Sequence, residues 1–155
     1  MSDAPLYVIA DGLGDAKSLV YATWLRSYEH SSPMAKNIPR AVFFKEHHKI
    51  LDGIFERNPA VRLAVMPDDP SVVFGWAVSE PRSQVSIVDR DAGTMRVDPV
   101  ALLHYVYVKP DFRKYGIAKA LLADLRKPFI YTHWTYVLRD LERHLQGCTF
   151  NPYEA

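Results

Sequence analysis

The chain holds one cysteine, Cys148, in 155 residues. That excludes an intrachain disulfide and a cysteine metal cage. Excess charge is also lacking: 19 Lys and Arg against 18 Asp and Glu leave a net charge of +1. Such a balance gives no support for bulk binding to nucleic acid or to an acidic membrane surface. No apolar run is long enough to read as a bilayer span. The N-terminal stretch "MSDAPLYVIADGLGD" has no basic start and only a short apolar run, so it does not read as a secretory signal. These features fit a reducing, cytoplasmic setting. The GxxxxGK[ST] and GxGxxG phosphate loops are both absent.

What is present is a core. Apolar residues make up 48% of the chain, and the length fits one compact domain over 1–155. Hydrophobic periodicity predicts a strand over 6–10, and then a helix over 16–29 capped by Asp15 with Val20, Trp24 and Tyr28 on one face. A loop with two prolines follows at 30–39. A second helix spans about 40–57, its apolar face carrying Phe43, Phe44, Ile50, Leu51, Ile54 and Phe55, and ends at Asn58-Pro59. The period then changes to that of strands. Residues 61–66 and 71–79 read as a hairpin, 80–99 as mixed with a short strand at "QVSIVD", and 100–109 as a buried central strand. A helix over 116–127, a strand over 129–134 and a last helix over 135–146 ended by Gly147 complete the pattern. The order β-α-α-β-β-β-α-β-α with a short tail strand predicts an α/β (α+β) fold, a mixed central sheet flanked by helices. The strand-helix-strand unit at 107–133 predicts parallel neighbours.

The most informative stretch is "VYVKPDFRKYGIAKALLADLRKP", residues 106–128. A strand hands over to a helix through a turn containing Gly116. Such a turn leaves backbone N–H groups pointing one way, and glycine lets a ligand approach them closely. Arg113, Lys114 and Lys119 add positive charge, which favours a phosphate or pyrophosphate. Arg113-x-x-Gly116-x-Ala118, after a strand ending in Val-x-Pro, resembles motif A of the GNAT superfamily of N-acetyltransferases, and the element order resembles that fold. The resemblance implies acetyl-CoA as co-substrate and an amine as acceptor. It places the pyrophosphate on Arg113, Lys114, Tyr115, Gly116, Ile117 and Ala118, and the pantetheine arm on backbone groups of Tyr107 and Val108. Shorter matches, "ATWLRSYEHSS", "YTHWT" and "NPY", resemble a small GNAT group of tailed-phage genomes, which implies a host cytoplasm.

Three residues are candidates for the chemistry. His104 lies on the strand leading into the motif, sharing a face with Leu102 and Val106 unless a bulge intervenes. Desolvation there would keep it neutral and able to accept a proton. A histidine at this offset resembles the general base of arylalkylamine acetyltransferases. His133 ends the following strand, where the resemblance places the cofactor gap. Tyr136 is the nearest replacement for the tyrosine that serves many GNAT enzymes as general acid, since the matching position holds Arg143. The chain also stops early for the family's last two strands. The rival expectation is a GNAT-fold phage component without catalysis, structural or regulatory. No metal is expected: "KEHHK" at 45–49 lacks the HExxH spacing, and adjacent helical histidines point roughly 100° apart. His47 and His48 read as partly buried helix residues, and Cys148 as a packing residue. A homodimer is among the assemblies left open.

Overall fold

The structure, a computed structural model, describes residues 3–89, 91–136, 138–139 and 148–155. The sheet is six-stranded, in the order β1 (Val8–Asp11), β2 (Ala60–Met66), β3 (Asp69–Asp89), β4 (Thr94–Val108), β5 (Phe129–Tyr131) and β6 (Thr149–Phe150). The first four strands pair antiparallel, while β4–β5 and β5–β6 are parallel. The mixed α/β sheet flanked by helices is the expected fold class, and the parallel β4–β5 pair is the expected crossover.

Two long helices cover one face: α1 (Lys17–Ser31) and α2 (Arg40–Glu56). Val20, Tyr21 and Trp24 of α1 and Leu51 and Ile54 of α2 pack on Val61, Leu63, Trp76 and Tyr105. Each fully buried aliphatic side chain here stabilises the fold by about 1.5–3 kcal/mol. Asp15 does not cap α1. It sits in a 3-10 turn, and Ala16 holds the cap position with no side-chain hydrogen bond. The buried stripe of α2 is Phe43, His47, Leu51 and Ile54. Ile50, expected on that face, is exposed, and a histidine takes a core position instead.

The other face carries α3 (Ile117–Leu121), whose Ile117 and Leu121 pack on Ala64, Phe74 and Ala77. It has only 5 residues, where the sequence predicts a helix to residue 127. The early end has a tertiary cause. Arg62 of β2 donates from Nη1 to the carbonyls of Ala120 and Leu121, 3.3 and 3.2 Å away. Those are the carbonyls a longer helix would bond internally.

The region 80–99 is not a separate short strand. It continues β3 and β4 as one long hairpin, with register irregularities between Val78 and Ser79 and between Glu80 and Ser83. At the first of these Val78 faces Tyr105 and Ser79 faces Leu103, so His104 is the inserted residue of a β-bulge. The bulge breaks the expected face of Leu102, His104 and Val106. Val106 packs with Ile117 and Leu121 on the α3 side, while Tyr105 joins the α1 cluster next to His104. The helix predicted over 135–146 begins as expected: Leu138 N–H donates to Thr135 Oγ1 at 3.2 Å and Arg139 N–H to the Thr135 carbonyl at 2.9 Å. Its remainder, with Arg143 and Gly147, lies outside the described residues. No described helix is long and apolar enough to cross a membrane.

Candidate active site

β5 accompanies β4 only briefly. Ala101, Leu102 and Leu103 pair with Phe129, Ile130 and Tyr131, and Thr132 N–H donates to the Leu103 carbonyl at 3.1 Å. β5 then ends, while β4 runs on to Val108. The strands therefore part after His104, and a cavity of about 750 Å³ opens beside the free stretch of β4. Tyr107 and Val108 line it, with α1 on one side and the turn before α3 on the other.

Arg113, Lys114, Gly116, Ile117 and Ala118 all line this cavity, and the sixth expected motif residue, Tyr115, does not. Tyr115 is exposed instead. Lys114 and Gly116 both adopt positive φ, 71° and 77°. Glycine suits that conformation because it has no Cβ to clash. A Cβ on Gly116 would meet nothing nearer than the Tyr7 hydroxyl at 4.0 Å, so the space in front of the turn is open. Arg113 folds back, its Nε donating to the Val108 carbonyl at 3.1 Å. The first N–H groups of α3 have no partner within the helix. A helix this short contributes little dipole, so attraction for an anion rests on those amides and on side chains. Arg26 and Lys119 join Arg113 and Lys114 in the lining, and no Asp or Glu among the described residues does. Arg26 lacks a sequence signal, because α1 supplies it from ninety residues upstream of the turn. The residues present thus fit an elongated anionic ligand such as acetyl-CoA: an open turn at a helix start, and four cations with no carboxylate beside them among the described lining residues.

Tyr136 also lines this cavity, its ring within cation–π reach of Lys36 at 5.8 Å and Arg139 at 5.2 Å. His104 does not line it. It is fully buried and both ring nitrogens are engaged. Nε2 lies 2.6 Å from Glu80 Oε2, and Nδ1 lies 2.8 Å from Thr132 Oγ1. Arg57 holds the same Glu80 carboxylate through Nε and Nη2, each 3.2 Å away. Burial lowers His104 below the usual histidine range, against the pull of Glu80 in the other direction. Burial also pushes the Glu80 carboxyl up, but Arg57 and His104 outweigh it and hold it low.

His133 lies on the far side of Thr132. Its Nδ1 is 2.9 Å from Thr132 Oγ1, and its Nε2 is 3.0 Å from His47 Nε2. Burial drives His133 well below its ordinary value, and lowers His47 to about 4. His47, His133 and Thr132 line a second cavity of about 320 Å³. Its other walls include Tyr28, Met34, Ile38 and Phe43, closed by Pro152 and Ala155 of the tail. Ser31 lines the first cavity and Ser32 the second, so the two lie on either side of the end of α1. Between them stands Tyr105, its hydroxyl 2.8 Å from Ser27 Oγ and its ring centroid 6.0 Å from that of His133. The structure thus brings His104 and His133 together through Thr132, and leaves Tyr136 in the larger cavity. Cys148 is buried in the β5 cluster, as its packing reading expects. His47 is buried, while His48 is exposed and pairs with Asp52. Among the described residues no group of His, Cys, Asp and Glu is placed to hold a metal ion.

No curated protein matches the sequence. Among solved structures, the chain is similar to a candidate acetyl transferase from Pyrococcus furiosus, with a TM-score of 0.53 and 15% identity over 94% of this chain and 81% of that one. It is also similar to a mutant of the BH1408 protein from Bacillus halodurans, with a TM-score of 0.52 and 10% identity over 93% and 81%. An aminoglycoside N-acetyltransferase, AAC(6')-Iy, solved with CoA, aligns over 97% of this chain and 80% of its own at 16% identity and a TM-score of 0.43. The sequence model of the acetyltransferase (GNAT) family matches residues 21–127, a span that includes the turn, the bulged strand, all of α2 and α1 from Tyr21 onward. On that match the chain belongs to the acetyltransferase (GNAT) family.

Proposed function

We propose that the protein transfers the acetyl group of acetyl-CoA to a primary amine by direct attack. One observation carries the reading: the cavity at the parting of β4 and β5 is lined by Arg26, Arg113, Lys114 and Lys119 with no opposing carboxylate among the described residues. The turn at Arg113–Ala118 holds the pyrophosphate through its amides and cations. Tyr107 and Val108 offer backbone groups to the pantetheine arm from the stretch of β4 that β3 pairs and β5 no longer flanks. The amine enters from the second cavity, between the first two helices and the tail. Its nitrogen attacks the thioester carbon, the C–S bond breaks, and the sulfur leaves as the thiol of CoA. Much of the rate enhancement comes from holding both reactants in line. His104 belongs to the machinery that removes the amine proton, acting through Thr132 and His133 because it touches neither cavity, and Tyr136 is the acid that protonates the departing sulfur.

A second reading, a GNAT-fold protein without catalysis, is favoured by one observation: His104 has no open ring nitrogen. Thermal denaturation with added acetyl-CoA separates the two. A ligand that binds only the folded state raises the melting temperature, so the transferase reading expects an upward shift. Gly116→Val, strained at φ 77°, should fold and lose that shift. No shift for the wild-type protein at saturating acetyl-CoA overturns the reading.

A further inference from the structure

The contacts around His104 form a continuous chain that ends at a cavity. Its members are Glu80, His104, Thr132, His133 and His47, joined at 2.6, 2.8, 2.9 and 3.0 Å. They come from β3, β4, the end of β5 and α2. Electrostatics fixes the direction of every hydrogen bond. The Glu80 carboxylate can only accept, so His104 Nε2 carries its hydrogen and Nδ1 offers a lone pair. Thr132 therefore donates to His104 and must accept from His133 Nδ1–H. His133 Nε2 is then an acceptor, and His47 Nε2–H donates to it. One lone pair remains at the end of the series, on His47 Nδ1, which has no hydrogen-bond partner among the described residues.

We propose that His47 Nδ1 takes the proton of the acceptor amine in the second cavity, and that His133, Thr132 and His104 pass a proton on to Glu80. This rests on the reading that the second cavity seats the acceptor. The apolar walls at Met34, Ile38, Phe43 and Ile50, with the Glu46 carboxylate beside them, assign a primary amine with an apolar body as its class. As the amine attacks, its N–H bond breaks and a proton joins His47 Nδ1. The His47 Nε2 proton moves to His133 Nε2, and the His133 Nδ1 proton to Thr132. The Thr132 hydroxyl proton moves to His104 Nδ1, and the His104 Nε2 proton to Glu80. Every ring stays neutral and exchanges one tautomer for the other. That matters because burial disfavours an imidazolium at each of these sites. Arg57 favours the Glu80 anion, so the carboxyl holds the proton only transiently. The chain resets when the proton returns and leaves to water from the emptied cavity. A purely structural network would need its groups satisfied; among the described residues this one leaves a ring nitrogen, His47 Nδ1, without a partner on a residue that lines a cavity.

The test combines ring nitrogen NMR of the full chain with kinetics using 2-phenylethylamine as acceptor. The spectra should show hydrogen on Nε2 of His104, Nδ1 of His133 and Nε2 of His47. His47→Gln should lower kcat by roughly 10²–10⁴-fold, as expected for loss of a general base. Thr132→Val and Glu80→Gln should each lower kcat at least about tenfold, with KM for the amine and the acetyl-CoA melting shift unchanged. Thr132→Ser, which restores the hydroxyl, should recover most of the rate. Wild-type kcat in both Thr132→Val and Glu80→Gln, or the opposite tautomer on any of the three rings, overturns the relay while leaving acetyl transfer standing. Absence of an acetyl-CoA shift and of any acetylated amine overturns acetyl transfer and, with it, the relay's role.

Discussion

Three buried histidines make the protein's stability depend on pH. Burial places the folded-state value of His47 at about 4, below the 6.5 of the open chain, and depresses His104 and His133 too. Below pH 6.5 the unfolded chain therefore binds protons that the folded chain refuses. The stabilisation is fully present above 6.5 and is lost as the pH falls toward 4, about 3 kcal/mol for His47 alone. Glu80, held low, adds a loss of the same sign further down. Urea midpoints measured down this range should fall steadily, and His47→Phe, able to pack on Phe43, should flatten the slope. An equally steep slope in that variant would show that His47 does not titrate as described. At this scale the sequence was partly legible. His104 stands out as a histidine in an apolar strand, and His133 as the end of the next. Their link through Thr132, and the arrival of His47 at the other side, have no local signal, because His47 and His133 meet across 86 positions of chain. The Arg57–Glu80 pair at the far end is silent for the same reason.

Among the elements, the long hairpin shows how close packing enforces a residue. Gly75 of β3 lies opposite Val108, and a Cβ there would sit 2.6 Å from the Tyr107 carbonyl oxygen. That contact is with backbone, so relief requires the strands to move. Gly75→Ala should cost about 1–3 kcal/mol in denaturant unfolding, and it should weaken acetyl-CoA binding as well, since Tyr107 and Val108 line the larger cavity. An unchanged unfolding midpoint would contradict the packing argument. Element types were legible from period alone: 3.6 over α1 and α2, near 2 over β2 and the core of β3. Boundaries failed where partners distant in sequence decide them. Arg62 ends α3 from another strand, and the β3–β4 pairing carries through residues 80–99, whose own pattern is mixed. The bulge at His104 was equally invisible, since it depends on the register of two strands.

The whole molecule sets two cavities on either side of Tyr105 and the end of α1, the larger basic and the smaller apolar. The order of elements and the Arg113-x-x-Gly116-x-Ala118 turn made the fold and the place of the basic cavity readable, because both depend on local sequence. The apolar cavity has no local signal, since its shape comes from α2 meeting residues 132 and 133 after β5. In the proposed reaction these cavities bring acetyl-CoA and an amine together for transfer. The most direct measurement is mass spectrometry of a mixture of the protein, acetyl-CoA and 2-phenylethylamine. N-acetylated amine and free CoA should appear together in equal amounts with the wild-type protein, and neither should accumulate above the uncatalysed background with Gly116→Val. Intact acetyl-CoA and unmodified amine after prolonged incubation with the wild-type protein would contradict the proposed transfer.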